Sequence, residues 1–295
     1  MRTKGIFITL IILVVFNFSA YPQKVEEYLS RYTAANGKGY MQPLADVFGA
    51  SFNTGLFHSA KIKKKGFQLY FGLVGSDAFI GSDQKTFKAT TDGFFTPVQT
   101  VQAPTILGST QTVNVSGNGG TVYVLPGGLN VKYLPLVVPQ LTVGSLYGTD
   151  LTARFFAYSG NKDFGQLKLF AIGLRHSISQ YFPSIPLDLA VGCYKQQFTM
   201  GNLFTCNTLQ AGAQASKRIK IFTFYGGLGY ENSKMDITYT EQSDNSKIAF
   251  NLTGRNTVRF TAGVTFNLGA FKLNVDYNLG QQSVLCAGLG VGFGE

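Results

Sequence analysis

Residues able to do covalent chemistry are sparse in this chain. There are two histidines, His58 and His176, and three cysteines, Cys193, Cys206 and Cys286. The run Arg175-His176-Ser177-Ile178-Ser179 sets a histidine beside serines, the pair a lipid hydrolase embedded in a membrane would need. In a strand, however, His176 and Ser177 point to opposite faces, and Ile178 takes the same-face position two residues on. His176 therefore reads as a structural residue near a rim, and no catalytic residue is expected. The cysteines have no metal-site spacing and form no disulfide framework. Cys193 and Cys206 fall on neighbouring strand-like segments but out of evident register. The glycine-rich stretches Gly226-Gly227-Leu228-Gly229 and Gly288-Leu289-Gly290-Val291-Gly292 precede no helix, so they are not phosphate loops. No cofactor and no metal are expected.

The charged residues are more informative. Asp150, Thr152 and Arg154 alternate with Leu151, Ala153 and Phe155. Arg255 and Arg259 alternate with Val258 and Phe260, and Lys272, Asn274 and Asp276 alternate with Leu273, Val275 and Tyr277. A period of two puts one set on each face of a strand. Three consecutive segments at the C-terminal end each carry one wholly apolar face over ten or so residues, longer than the usual soluble strand. That is the length a tilted strand needs to cross a bilayer. An Arg or Lys facing lipid at the midplane costs about 2–4 kcal/mol. Parity therefore turns Arg154, Arg255, Arg259, Lys272 and Asp276 into a lumen, where they can brace the wall as ion pairs or filter a solute.

The elements that must hold them form an all-β, antiparallel transmembrane β-barrel. Arg2 and Lys4 precede an uncharged apolar run from Ile6 to Phe16, and Ser19-Ala20 offers small residues for cleavage. Residues 1–20 thus read as a secretory signal peptide. Residues 21–50 read as an N-terminal plug or periplasmic segment with two short helices, Val25–Tyr32 and Gln42–Phe48, separated by Gly37 and Gly39. Residues 51–295 read as the barrel. Strands are expected at 51–63, 66–79, 85–96, 133–146, 149–159, 164–179, 186–200, 203–216, 218–231, 254–268, 270–280 and 283–293. Twelve is an even count, as bacterial barrels need, and fourteen is the alternative if 97–132 carries another hairpin. The long connections 97–132 and 232–253 then share one end, and the short turns share the other. Lys168, Phe170 and Arg175 do not fit one clean alternation, which suggests a bulge near Gly173 and a local break in the wall.

Composition agrees with this reading. The 35 glycines and 26 phenylalanines suit a curved sheet with aromatic girdles, and mean hydropathy is only +0.10 because alternation hides the membrane signal. The net charge of +10 comes with no recognition motif or basic helix, so no nucleic-acid partner is expected. Lys61, Lys63, Lys64 and Lys65 read as a solvated end that could meet anionic headgroups.

The segments Tyr40–Ile62, Tyr133–Tyr158 and Arg175–Gly192 resemble outer-membrane barrels of Bacteroidota near the FadL/TodX type of hydrophobic-compound transporter. The resemblance implies a barrel in the outer membrane of a Gram-negative bacterium, closed by an N-terminal plug and passing an apolar ligand. An apolar pocket at the plug would involve Phe48, Phe52, Leu56 and Phe57. The expected function is passive uptake of small hydrophobic molecules by a monomeric barrel whose partners are outer-membrane lipids and that ligand. The alternative is a non-transporting barrel presenting its long loops to a partner.

Overall fold

The computed structural model describes residues 21–93, 95–159, 166–242 and 244–294. The expected signal peptide lies outside them. Two helices open the described chain, α1 (Tyr21–Leu29) and α2 (Ala34–Phe52). Then come β1 (Gln68–Ala78), β2 (Thr86–Thr90), β3 (Thr100–Pro104), β4 (Val113–Ser116) and β5 (Val122–Leu125). They are followed by β6 (Leu136–Leu146), β7 (Thr149–Ser159), β8 (Gln166–Ser177), β9 (Asp188–Met200) and β10 (Phe204–Ile219). The chain ends with β11 (Phe222–Thr240), β12 (Lys247–Thr253), β13 (Val258–Leu268), β14 (Phe271–Leu279) and β15 (Val284–Phe293).

Ten strands close into an antiparallel barrel in the order β1, β6, β7, β8, β9, β10, β11, β13, β14, β15, and β15 pairs back to β1. An extra strand, β12, pairs only with the upper half of β11 (Lys234↔Thr253 to Thr240↔Lys247) and stands above the wall. The hairpins β2–β3 and β4–β5 also lie outside the wall. The count therefore differs from twelve at two places. Residues 51–63 alternate like a strand but finish α2 and then run extended through the lumen, bonding to side chains of the wall. Residues 85–96 contribute only β2, whose partner is Thr100–Pro104 rather than the wall. The segment 232–253 is mostly the β11–β12 arm and not an open loop.

Outward-facing side chains are mostly apolar around the circumference, with Lys168 of β8 and Lys195 and Gln197 of β9 as polar exceptions. Phe71, Phe155, Phe170, Phe224, Phe260, Leu273 and Leu289 are all exposed. A continuous exposed apolar belt of this kind has no place in water and is the lipid-facing surface of a membrane barrel.

The lumen is divided. At the short-turn end the inward residues are polar: Asp150, Arg175, Gln214, Ser216, Thr265, Asn267 and Lys272 are all buried. At the long-connection end they are apolar: Leu167, Leu169, Phe198, Met200, Phe204, Met235, Ile237 and Leu252. This explains the uneven reading of β8. It alternates cleanly and pairs without interruption with β7 and β9, so there is no bulge at Gly173. Leu167 and Leu169 share a face with Arg175 because the lumen changes character along its length. Gly173 itself is required by close approach: a Cβ there would lie 2.0 Å from the Tyr194 ring.

The apolar half of the lumen is filled by α2. This helix contains Gly37, Gly39, Pro43 and Gly49, a poor intrinsic composition for a helix, so burial rather than propensity holds it. Gly37 and Gly39 lie inside it and do not separate two helices as expected. They serve packing, as does Gly49, where a Cβ would sit 2.1 Å from Ser233 Oγ of β11.

Candidate functional site

Three wall arginines hold the lumenal segment by its backbone. Arg259 donates to Ala50 O (2.8 Å) and Thr54 Oγ1 (2.6 Å) while pairing with Glu231 at 2.8 and 3.1 Å. Arg154 donates to Phe52 O (3.1 Å), Thr54 O (2.9 Å) and Gly55 O (2.8 Å), and to Gln140 and Gln196. Arg175 donates to Ser59 O and pairs with Asp150. The first two engage the carbonyls at the C-terminus of α2, which have no intrahelical donor and carry its partial negative charge. Guanidinium groups suit this task because each offers five donors in a fixed plane. Thr265 Oγ1 also donates to His58 O at 2.7 Å, and Ala60 N donates to Ser216 Oγ at 2.9 Å. The chain is thus tied to the wall from α2 down to the short-turn end.

Above this polar collar lies the apolar site. Phe48 and Phe52 of α2 meet Phe198 of β9 and Phe204 of β10, with ring centroids 5.0–6.0 Å apart. Beside the rings is a cavity of about 70 Å³ lined by Phe48, Phe52, Leu136, Val138, Phe156 and Leu169, among other apolar residues. It opens against a seam in the wall. β6 and β7 pair only from Gln140↔Arg154 to Leu146↔Thr149, with a register shift on the way. The upper residues Leu136–Pro139 and Phe155–Ser159 keep their pairing with β1 and β8 but not with each other. Pro139 has no N–H to give to a ladder, and Pro135 lies four residues before it, just ahead of β6. The two prolines were the sequence signal for this break, which the alternation at Gly173 misplaced.

The remaining expected site residues are spread along the lumen. Leu56 and Phe57 are not in the apolar cavity. They form a separate cluster with Tyr194 and Tyr225, and the Phe57 and Tyr225 rings meet edge-on at 5.7 Å. Asp276 accepts from Tyr225 Oη (2.8 Å) and Asn278 Nδ2 (2.6 Å) in the wall. Lys272 donates to Asn267 Oδ1 at 2.7 Å near the short-turn end. Arg255 lies above β13, half-exposed, and bridges Asp46 of α2 (2.9 Å) to Asp83 (3.2 Å). It is a tie between α2 and the cap rather than a residue of the polar lumen.

The cap itself is built from the 79–135 connection over α1 and α2. Tyr32 and Tyr40 donate to Pro126 O and Gly127 O at 3.0 Å. Burial pushes both phenols well above their ordinary value, so they remain donors at any physiological pH. Tyr123 is raised as well, by burial and by its 2.7 Å bond to Asp92. Burial lowers the Lys85 ammonium, whose Nζ donates to Val131 O. His176 bonds to Thr149 Oγ1 (2.8 Å), Tyr181 Oη (2.8 Å) and Gln180 Nε2 (2.9 Å), while Ser177 lies on the opposite face. Cys193 faces outward and Cys206 inward, and both are free.

A closed ladder with an apolar belt outside and a tied segment inside defines a transmembrane β-barrel with a filled lumen. The chain belongs to the family of unknown function DUF6588, which matches residues 1–293. None of the curated proteins matches it. Among solved structures, Ail of Yersinia pestis, crystallised with a heparin analogue, is 12% identical with a TM-score of 0.29 over 77% of this chain and 97% of that one. The transport unit of the autotransporter AIDA-I from Escherichia coli is 10% identical with a TM-score of 0.31, covering 90% and 100%. OmpT of Vibrio cholerae, an outer membrane protein, is 8% identical with a TM-score of 0.27, covering 78% and 100%. These likenesses are loose, and the barrel rests on the strand ladder described above.

Proposed function

We propose that this protein is an outer-membrane barrel for passive uptake of small apolar molecules, with residues 21–63 as its plug. One observation carries the reading: the apolar cavity against Phe48 and Phe52 sits behind the unpaired β6–β7 seam. A solute bound there has the lipid-facing surface as its nearest exit, since the polar collar below is filled by tied backbone. The upper cap faces outward and the short turns face the periplasm, following the usual asymmetry of such barrels. The cavity is small as it stands. Parting of the seam, which breaks no hydrogen bond between β6 and β7 above Gln140, would enlarge it.

The test is binding of N-phenyl-1-naphthylamine, an apolar dye that brightens in dry sites, to the detergent-solubilised protein. Saturable binding is expected, and Val138→Trp, which fills the cavity, should weaken it by tenfold or more. Binding unaffected by Val138→Trp would remove the cavity from the account.

The second reading, a barrel that presents its loops to a partner, is favoured by exposed apolar residues on the cap: Val98, Val122 and Val124. It expects dye binding to be absent and a cap-directed ligand to be found instead.

A further inference from the structure

The short-turn end of the barrel carries a second cavity, independent of the uptake reading. Its volume is about 520 Å³. The segment between β8 and β9 forms one wall, the end of β10 another, and the tail of the lumenal segment the third. Three cations line it: Lys64, Lys217 and Arg218. Around them the exposed Lys63, Lys65 and Lys220 extend the same charge. Arg218 spends its Nε on Lys220 O of its own turn, at 3.2 Å. No described carboxylate is ion-paired with any of these six. The one carboxylate lining the cavity is Asp188, which Lys61 faces.

The opposite lip is apolar. Phe182, Ile185 and Leu187 line the cavity and stay exposed, at 53%, 37% and 39%. Ile219 and Ile221 flank the β10–β11 turn, also exposed, where the lipid-facing belt ends. Exposed aromatic and aliphatic groups beside uncompensated cations, at the edge of an apolar belt, match a molecule that is anionic at one end and acyl at the other. An acidic protein partner would satisfy the charge but would leave Phe182, Ile185, Ile219 and Ile221 facing lipid without purpose. Ser179, Gln180 and Asp188 add polar groups able to receive the hydroxyls of a glycerol headgroup.

We propose that this cavity binds an anionic phospholipid from the adjacent leaflet, with the phosphodiester between Lys64, Lys217 and Arg218 and the acyl chains along Phe182, Ile185 and Leu187. The class fits phosphatidylglycerol better than a zwitterionic lipid, whose ammonium the three cations would repel.

The experiment is native mass spectrometry of the full protein extracted from nanodiscs of equal phosphatidylcholine and phosphatidylglycerol. Wild type should keep phosphatidylglycerol through activation that strips phosphatidylcholine. Each of Lys64→Gln, Lys217→Gln and Arg218→Gln should lower retention about fivefold, the effect of one cation near a charged surface. The triple variant should lose it more than tenfold, and if it does not assemble the single variants carry the test. Lys195→Gln and Lys234→Gln, exposed cations elsewhere on the barrel, should leave retention unchanged. Equal loss from those controls would mean bulk charge attraction and would overturn the site. So would retention in the triple variant. Displacement of the lipid by millimolar glycerophosphate would show that the headgroup alone binds and would equally overturn a lipid site.

Discussion

The wall arginines decide how firmly the lumenal segment is held. Parity in the sequence was enough to turn Arg154, Arg259 and Asp276 inward, because each shares a face with other polar residues and a charge deep on the lipid face is costly. Parity could not say what they would meet. Arg154 meets backbone carbonyls of Phe52, Thr54 and Gly55, the first two buried and the third half-buried. Replacing Arg154 with Met should cost about 1–3 kcal/mol for each acceptor left unpaired. The expected readout is a lower unfolding temperature of the folded barrel and protease access near residues 52–56. Arg259 differs, since Glu231 is its buried partner. Arg259→Met alone should be destabilising by about 3–5 kcal/mol, and adding Glu231→Leu should recover much of the loss by removing the orphaned carboxylate. A double variant no better than the single one would show that the bonds to Ala50 and Thr54, and not the ion pair, dominate.

At the scale of elements, strands β13 to β15 were readable because each faces lipid on one side and a polar lumen on the other. Where the lumen is apolar, in the upper half of β8, Leu167 and Leu169 turn inward while Gln166 and Lys168 turn outward, so the polar and apolar faces exchange and parity misled. Residues 51–63 misled for a related reason. Ser51, Asn53, Ser59 and Lys61 alternate with Phe52, Leu56, Ala60 and Ile62, but the segment runs inside the barrel and several of its backbone bonds are made to side chains of the wall. Of the cap hairpins, residues 85–96 read as a strand of the wall, whereas 97–132 read as a long connection outside it that could carry a hairpin, and β4–β5 is that hairpin without joining the wall. α2 tests the same point. A peptide of residues 34–52 should be largely unstructured in water by circular dichroism, since its helix is held by burial against the wall. A strongly helical isolated peptide would contradict that. The seam is also a property of an element. Pro139→Val returns an N–H to β6 and should let the β6–β7 ladder lengthen, slowing passage of an apolar dye while raising thermal stability.

The barrel as a whole is closed along its axis, and the proposed uptake requires it to open through its side. Polar ties fill the lumen at the short-turn end, and α2 and the cap fill the other end, so ion conductance should be low in planar bilayers. The sideways route is the sharper statement. Continuing the register of Gln140↔Arg154 sets Val137 opposite Ala157, both outside the polar collar. The measurement is transfer of N-phenyl-1-naphthylamine into lipid vesicles containing a Val137→Cys, Ala157→Cys double variant. With the thiols reduced, transfer should match wild type. Oxidation should lower it to the rate of protein-free vesicles, and reductant should restore it. Undiminished transfer through a barrel whose seam is covalently shut would contradict the account.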